Sequence, residues 1–349
     1  MTTVTSLPVA VIGGVDTHAD VHVAAACDPL GGLLGTQEFA TTPAGYRALL
    51  AYLSSFGHVR VVGVEGTGSY GSGLARYLAD HGVPVIEVDR PNRQVRRRHG
   101  KSDVIDAIAA ARAVVSDQAT VIPKAHNGNV EGLRALQIVH RSAIKARTQA
   151  LNQMHALILT APEPVRGQLR DLSRADRLAV CAGYRPADRD DLIAITKLAL
   201  RELATRINDL TAQIRRIETR RAHLVRATAP RLMKIYGVGP DTAAALLSAA
   251  GDNPDRLKSE RSYAALLGAS PIKASSGKTK RVRLNHGGDR LGNSALWHIV
   301  MTRMAKQPAT QAYVDRRIHE GLSKTEIIRC LKRHVARKVF NALPRELLT

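Results

Sequence analysis

The sequence predicts an α/β domain at the N-terminus, a helical middle and a mainly α-helical C-terminal region. Three observations predict this. Up to Pro123, short β-rich runs alternate with helical patterns. Beyond it, long charged segments carry apolar residues three and four apart, and a glycine turn between two helical patterns opens the last third.

"VAVIGGVD" is a β-rich run that ends in Asp16. "VHVAAACD" and "LLGTQEFAT" read as its hairpin partners, joined by the turn "PLGG". "TPAGYRALLAYLSSFG" has Thr42 as N-cap, Pro43 at the first helical position and Gly57 as a stop, so it reads as a helix. "VRVVGVE" is a buried strand ending in Glu65. "GSGLARYLADHG" is a helix, "VPVIEVD" a strand and "KSDVIDAIAAARAVVSD" an alanine-rich helix. The order β-β-β-α-β-α-β-α is that of the ribonuclease-H-like fold, and it assigns residues 1–123 to one domain.

Residues 124–228 read as a helical region. Leu200, Leu203, Ile207, Leu210, Ile214 and Ile217 form a seam of the coiled-coil kind, suited to dimerisation or to packing within the domain. Residues 229–349 form the third region. Its opening, "LMKIYGVGPDTAAALLSAAG", resembles a helix-hairpin-helix module, in which Gly237 and Gly239 bring backbone N–H groups to a DNA phosphate. A plain αα-hairpin is the other reading of that stretch.

The formal charge is +21 and the pI about 10.5, so a polyanion is the expected partner, nucleic acid first. Aromatic residues are 3%, so phosphate contact rather than ring stacking supplies most of the affinity. Cys27, Cys181 and Cys330 are far apart and odd in number, which argues against a disulfide framework or a zinc cluster. No apolar stretch approaches the roughly 20 residues that span a bilayer, so no membrane partner is expected and the cytoplasm, at the nucleoid, is the expected location.

Four acids stand out by position. Asp16 and Glu65 end strands, and Asp103 and Asp106 share one face at the start of a helix. In a ribonuclease-H-like sheet the two strand ends are neighbours and the last helix crosses them, so all four carboxylates converge. Such oxygen donors select Mg²⁺ or Mn²⁺, and a pair of ions about 4 Å apart would suit phosphodiester cleavage. Each acid taken singly also has a plain reading as a cap, turn former or solvated residue. The run "RPNRQVRRRHGKSD" supplies Arg93, Arg96, Arg97, Arg98 and Lys101 beside the acids, a density that suits phosphate contact.

A second basic segment, "ASPIKASSGKTKRVRL", holds Ser275 and Ser276 among Lys273, Lys278, Lys280, Arg281 and Arg283. It reads either as a phosphate clamp or as a nucleophile loop. In the second case the cations would activate the hydroxyl and stabilise phosphoryl charge.

Taken in order, "GVDTH", "EGTGSY", "KSDVIDA", "GVGPDTAAALL" and "LGASP…SSG" resemble the DEDD transposases of the insertion-sequence one-hundred-and-ten family, over nearly the whole chain. The resemblance implies a RuvC-like first domain, a coiled-coil middle and a C-terminal transposase domain. It implies recombination of donor and target DNA through a covalent phosphoserine and a Holliday-junction-like stage. A structured bridge RNA would pair with both DNAs, and homodimers would assemble into a homotetramer with a composite active site. Carried over residue by residue, Asp16, Glu65, Asp103 and Asp106 hold the metal. The serine before a glycine and after a proline is Ser276, with Ser275 beside it. The alternative is a metal-dependent, Holliday-junction-type endonuclease that uses water as its nucleophile.

Overall fold

The computed structural model describes residues 10–89, 102–185, 187–273, 282–283 and 285–344. The chain divides into two compact units: the stretch through Gly128 with Ala250–Ser259, and Asn129–Ala249 with Glu260–Pro344.

The first unit is built on a five-stranded mixed sheet. Its strands are β1 (Ala10–Thr17), β2 (Val21–Cys27), β3 (Leu33–Ala40), β4 (His58–Glu65) and β5 (Val85–Val88), in the order β3-β2-β1-β4-β5. β1, β2 and β3 pair antiparallel, while β4 runs parallel to β1 and β5 parallel to β4. Helix α1 (Pro43–Ser55) starts as its sequence predicts: the Thr42 side chain accepts from the Gly45 N–H and Pro43 sits in the first turn. Gly57 follows it at φ +146. With α2 (Ser72–Asp80), α1 covers one face of the sheet, where Val11, Val15, Leu49, Leu53, Val62, Leu74 and Leu78 are buried.

Helix α3 (Asp103–Val115) covers the other face, where Ala107 and Ala111 pack against Val23, Ala25, Ile12 and Cys27. Both faces of β1 are therefore buried, which accounts for its nearly continuous apolar run. The helix lies very close to the sheet. A Cβ on Gly14 would fall 2.2 Å from the Ala107 carbonyl oxygen and the Ala111 nitrogen, and one on Gly63 would fall 2.9 Å from the Ala110 oxygen. Gly14 of "VIGGVD" and Gly63 of "VRVVGVE" on one side, and the alanines of "DAIAAA" on the other, make this contact, while Gly13 faces Leu53 and Val62 on the opposite side of the sheet. Ala250–Ser259 joins the unit through Asn253, which donates to the Pro123 carbonyl at 2.9 Å and accepts from the Ala125 N–H at 3.0 Å.

The second unit is helical. Its frame is α4 (Asn129–Thr160) packed on α7 (Leu192–Thr228), with α5 (Glu163–Arg170) and α6 (Arg174–Ala182) between them in sequence. Ala150, Met154 and Ile158 share a core with Leu200, Ala204 and Ile207, while His140 meets Glu218 and Arg221, so the pair runs antiparallel. Leu200, Ile207, Ile214 and Ile217 of the predicted seam are buried, and Leu203 and Leu210 are half-buried. After α7 come α8 (Pro230–Met233), α9 (Pro240–Ala250) and α10 (Glu260–Leu266). A short antiparallel pairing, β6 (Ile272–Lys273) with β7 (Val282–Arg283), precedes α11 (Arg290–Lys306), α12 (Pro308–His319) and α13 (Lys324–Phe340). Tyr263 is wholly buried, and its hydroxyl donates to the Leu246 carbonyl at 3.0 Å.

Candidate metal and nucleic-acid site

Strand alternation aims the first acid. Ile12, Gly14 and Asp16 lie on one face of β1, the face that α3 covers, so Asp16 points toward the start of α3. The parallel register pairs Val15 with Val64, and Asp16 and Glu65 are the next residues on their strands. The Thr17 hydroxyl donates to the Glu65 carbonyl at 2.8 Å and ties the two strand ends together. Gly66, at φ +67, then turns the chain sharply away.

Asp16, Glu65 and Asp106 are buried, with 6%, 8% and 5% of their surface exposed. Asp103, one turn before Asp106, has 45% of its side chain exposed. Ligand atoms of Asp16, His18 and Asp103 all lie within 4.8 Å of one another. The His18 Nε2 is 3.1 Å from Asp16 Oδ2 and 3.4 Å from Asp103 Oδ1. Burial pushes the Asp16 carboxyl above its ordinary value; His18 opposes that shift, and the Asp106 and Asp103 charges add to it.

The donor set fits a hard divalent cation. It is rich in carboxylate oxygen, close enough to converge on one ion, and carries a buried acid whose ionised form a cation would favour. His18 is the residue that sequence reasoning missed. Its signal was present in "GVDTH", two residues after Asp16, where strand alternation returns a side chain to the same face.

The other expected site residues fall in two groups. Arg93, Arg96, Arg97, Arg98 and Lys101, and in the second basic segment Ser276, Lys278, Lys280 and Arg281, lie outside the described residues. Lys273 and Arg283 occupy the paired strands β6 and β7, and the Arg283 side chain is exposed. Gly237 adopts φ +82 and Gly239 opens α9. The Gly239 N–H donates to the Thr242 hydroxyl at 2.9 Å, so that donor is already engaged. The helix before the turn, α8, has four residues.

By its fold and its site this is an α/β protein whose central strands end in carboxylates beneath an acid-bearing helix. Comparison with known proteins agrees with that description. A transposase model of the DEDD IS110 type matches residues 13–161, and a model described as Transposase IS116/IS110/IS902 family matches residues 229–315. The chain belongs to the IS110 family of transposases. It is 28% identical over 205 residues to a probable family 20 transposase of Pseudomonas aeruginosa, covering 57% of this chain and 58% of that protein. It is 30% identical over 225 residues to the transposase for insertion sequence element IS1328 of Yersinia enterocolitica, covering 62% and 63%. The match thus spans less than two thirds of either relative. Among the described residues no helix is long and apolar enough to cross a membrane.

Proposed function

We propose that this protein is the transposase of an insertion sequence, cutting and rejoining DNA at a divalent-metal site made by Asp16, Glu65, Asp103 and Asp106, with Ser276 as the nucleophile. The observation that carries the reading is the convergence of Asp16 and Asp103 at one end of the sheet, in a chain of this family. The strand order, three antiparallel strands leading into a parallel half, supports a ribonuclease-H-like, RuvC-like first domain.

The carboxylates would hold Mg²⁺ or Mn²⁺, which would supply electrophilic polarisation of the scissile phosphate. His18 would orient Asp16 by hydrogen bonding to its Oδ2, with Asp103 Oδ1 3.4 Å from the same nitrogen. The Ser276 oxygen would bond to phosphorus as the bridging P–O bond breaks, leaving a covalent phosphoserine and a free DNA hydroxyl end. Attack by a DNA hydroxyl on that phosphoserine would restore the serine and join the strands. The family resemblance supplies a structured bridge RNA that pairs with donor and target, and homodimers that assemble into a tetramer. The glycine turn of Gly237 and Gly239, read from its sequence as a helix-hairpin-helix, would meet a DNA phosphate only if the Gly239 N–H left its bond to Thr242.

The test is capture of the intermediate. Incubation with labelled element-end DNA, bridge RNA and Mg²⁺, followed by denaturing electrophoresis, should give a protein–DNA adduct. The adduct should be absent in Ser276→Ala and present in Ser275→Ala. Cleavage that persists in Ser276→Ala without an adduct would point to water as the nucleophile and overturn the serine mechanism.

A further inference from the structure

The second unit holds a cavity of about 1200 Å³, whose lining shares only Arg283 with the cations named above. One wall is the segment Gly268–Pro271, and another is Asn285–Gly288 running into the start of α11. The two segments touch at glycines: a Cβ on Gly288 would lie 2.3 Å from the Gly268 nitrogen. The remaining lining comes from α11, α12 and α13.

Two properties of the lining identify its ligand. The first is charge. Arg317 pairs with Glu320, Arg333 with Glu260, and Glu326 is held in the Ser323 capping box. Arg283 and Arg290 are exposed and form no ion pair among the described residues, and Arg329 and Lys332 add to them. The cavity is therefore cationic after its internal pairs are counted. The second is Trp297, which lies in the wall with 43% of its surface exposed. Its indole N–H makes no hydrogen bond among the described residues. An exposed indole among free guanidinium groups suits an unstacked base flanked by phosphates. In a duplex the base faces are covered by neighbouring pairs, so this ring has no use for one. The volume exceeds the roughly 300–1,000 Å³ of ordinary small-molecule pockets, which favours a short stretch of strand over a free nucleotide.

We propose that this cavity binds a single DNA strand, with Trp297 stacking on one base and Arg283 and Arg290 contacting the adjoining phosphates. Choosing DNA rests on the function proposed above, because the cavity wall runs through Pro271 and Arg283, on either side of the segment containing Ser276. The low aromatic content agrees: one ring stacks, and phosphate contacts do the rest.

The chain contains one tryptophan, so its intrinsic emission reports this site directly. Full-length protein in EDTA is titrated with oligo(dT), with a duplex of equal length and with oligo(rU), and binding is followed in parallel by anisotropy of labelled strands. Oligo(dT) should quench the emission saturably and more tightly than the duplex or oligo(rU). Trp297→Leu should weaken oligo(dT) binding by about 5- to 150-fold, while Trp297→Phe retains most of it. Arg290→Ala should lower the salt slope by about 0.7. Oligo(dT) binding without a change in emission, unchanged affinity in Trp297→Leu, or equal or tighter quenching by duplex or oligo(rU) would each overturn the proposal. No metal or cleavage is involved, so failure here leaves the serine adduct test untouched.

Discussion

Both units bury charge, and they do it in opposite ways. In the helical unit Arg221 has 2% of its surface exposed, and its Nη1 donates to Asp241 Oδ1 at 2.8 Å and to His140 Nδ1 at 2.9 Å. Because His140 Nδ1 accepts that bond, its Nε2 carries the hydrogen and donates to Glu218 Oε1 at 3.1 Å. Cation, imidazole and carboxylates alternate, and the network fastens α9 and both long helices together. In the α/β unit, Asp16 instead sits near Asp103 and Asp106, whose charges add to the effect of its burial, with His18 opposing. The first arrangement balances its charges internally, although the buried Arg221 Nε has no hydrogen-bond partner among the described residues. The second gains from an added cation. That contrast separates a structural charge network from the acids proposed above to hold a cation.

The contrast can be broken from the structural side first. Arg221→Ala removes the hub of the network and leaves a void between helices. The expected loss is about 3 kcal/mol. For a unit of this size that corresponds to a melting point lower by roughly 6–12 °C, read by circular dichroism. A change under about 1 °C would mean the network is not holding the helices.

A smaller effect is expected from Gly14→Val in the other unit. The new side chain would strike α3 backbone rather than a flexible side-chain end. The helix must move out, at a cost of about 1–3 kcal/mol. Because α3 carries Asp103 and Asp106, DNA cleavage should fall much further than stability does. Full cleavage in a folded Gly14→Val protein would show that close packing of α3 is not what positions the acids.

Much of the first unit was legible in the sequence. Apolar runs ending in Asp16 and Glu65 marked the strand ends, Thr42 and Pro43 marked the start of α1, and the alanine-rich pattern marked α3. These are local signals of period and capping, and the packing of the sheet reinforces them. The partner of the long-helix seam was less legible. Residues three and four apart describe a face without saying what covers it, and α4 covers much of it here. Arg221 was invisible for a different reason. An arginine in the run "RRIETRRAHL" looks like its solvated neighbours, and its burial depends on His140 and Asp241, far away in sequence. His18 was legible by spacing, yet a lone histidine after a strand carries no chemistry until Asp103 is brought beside it.

The central proposal is that Asp16 at the end of β1 and Asp103 at the start of α3, whose carboxylates converge, form a divalent-cation site together with Glu65 and Asp106. Burial and neighbouring carboxylates raise the Asp16 pKa in the folded protein, so its ionised form costs stability at neutral pH. That cost fades as the pH falls through the raised value. Asp16→Asn should therefore melt slightly higher than wild type at neutral pH without metal, with the difference vanishing in acid. The most direct measurement is the melting temperature of both proteins at neutral pH, with EDTA and with excess Mn²⁺. Mn²⁺ at 100 times its dissociation constant should stabilise wild type by about 2.7 kcal/mol and leave Asp16→Asn nearly unmoved. An equal Mn²⁺ shift in both proteins, or none in wild type, would contradict the account.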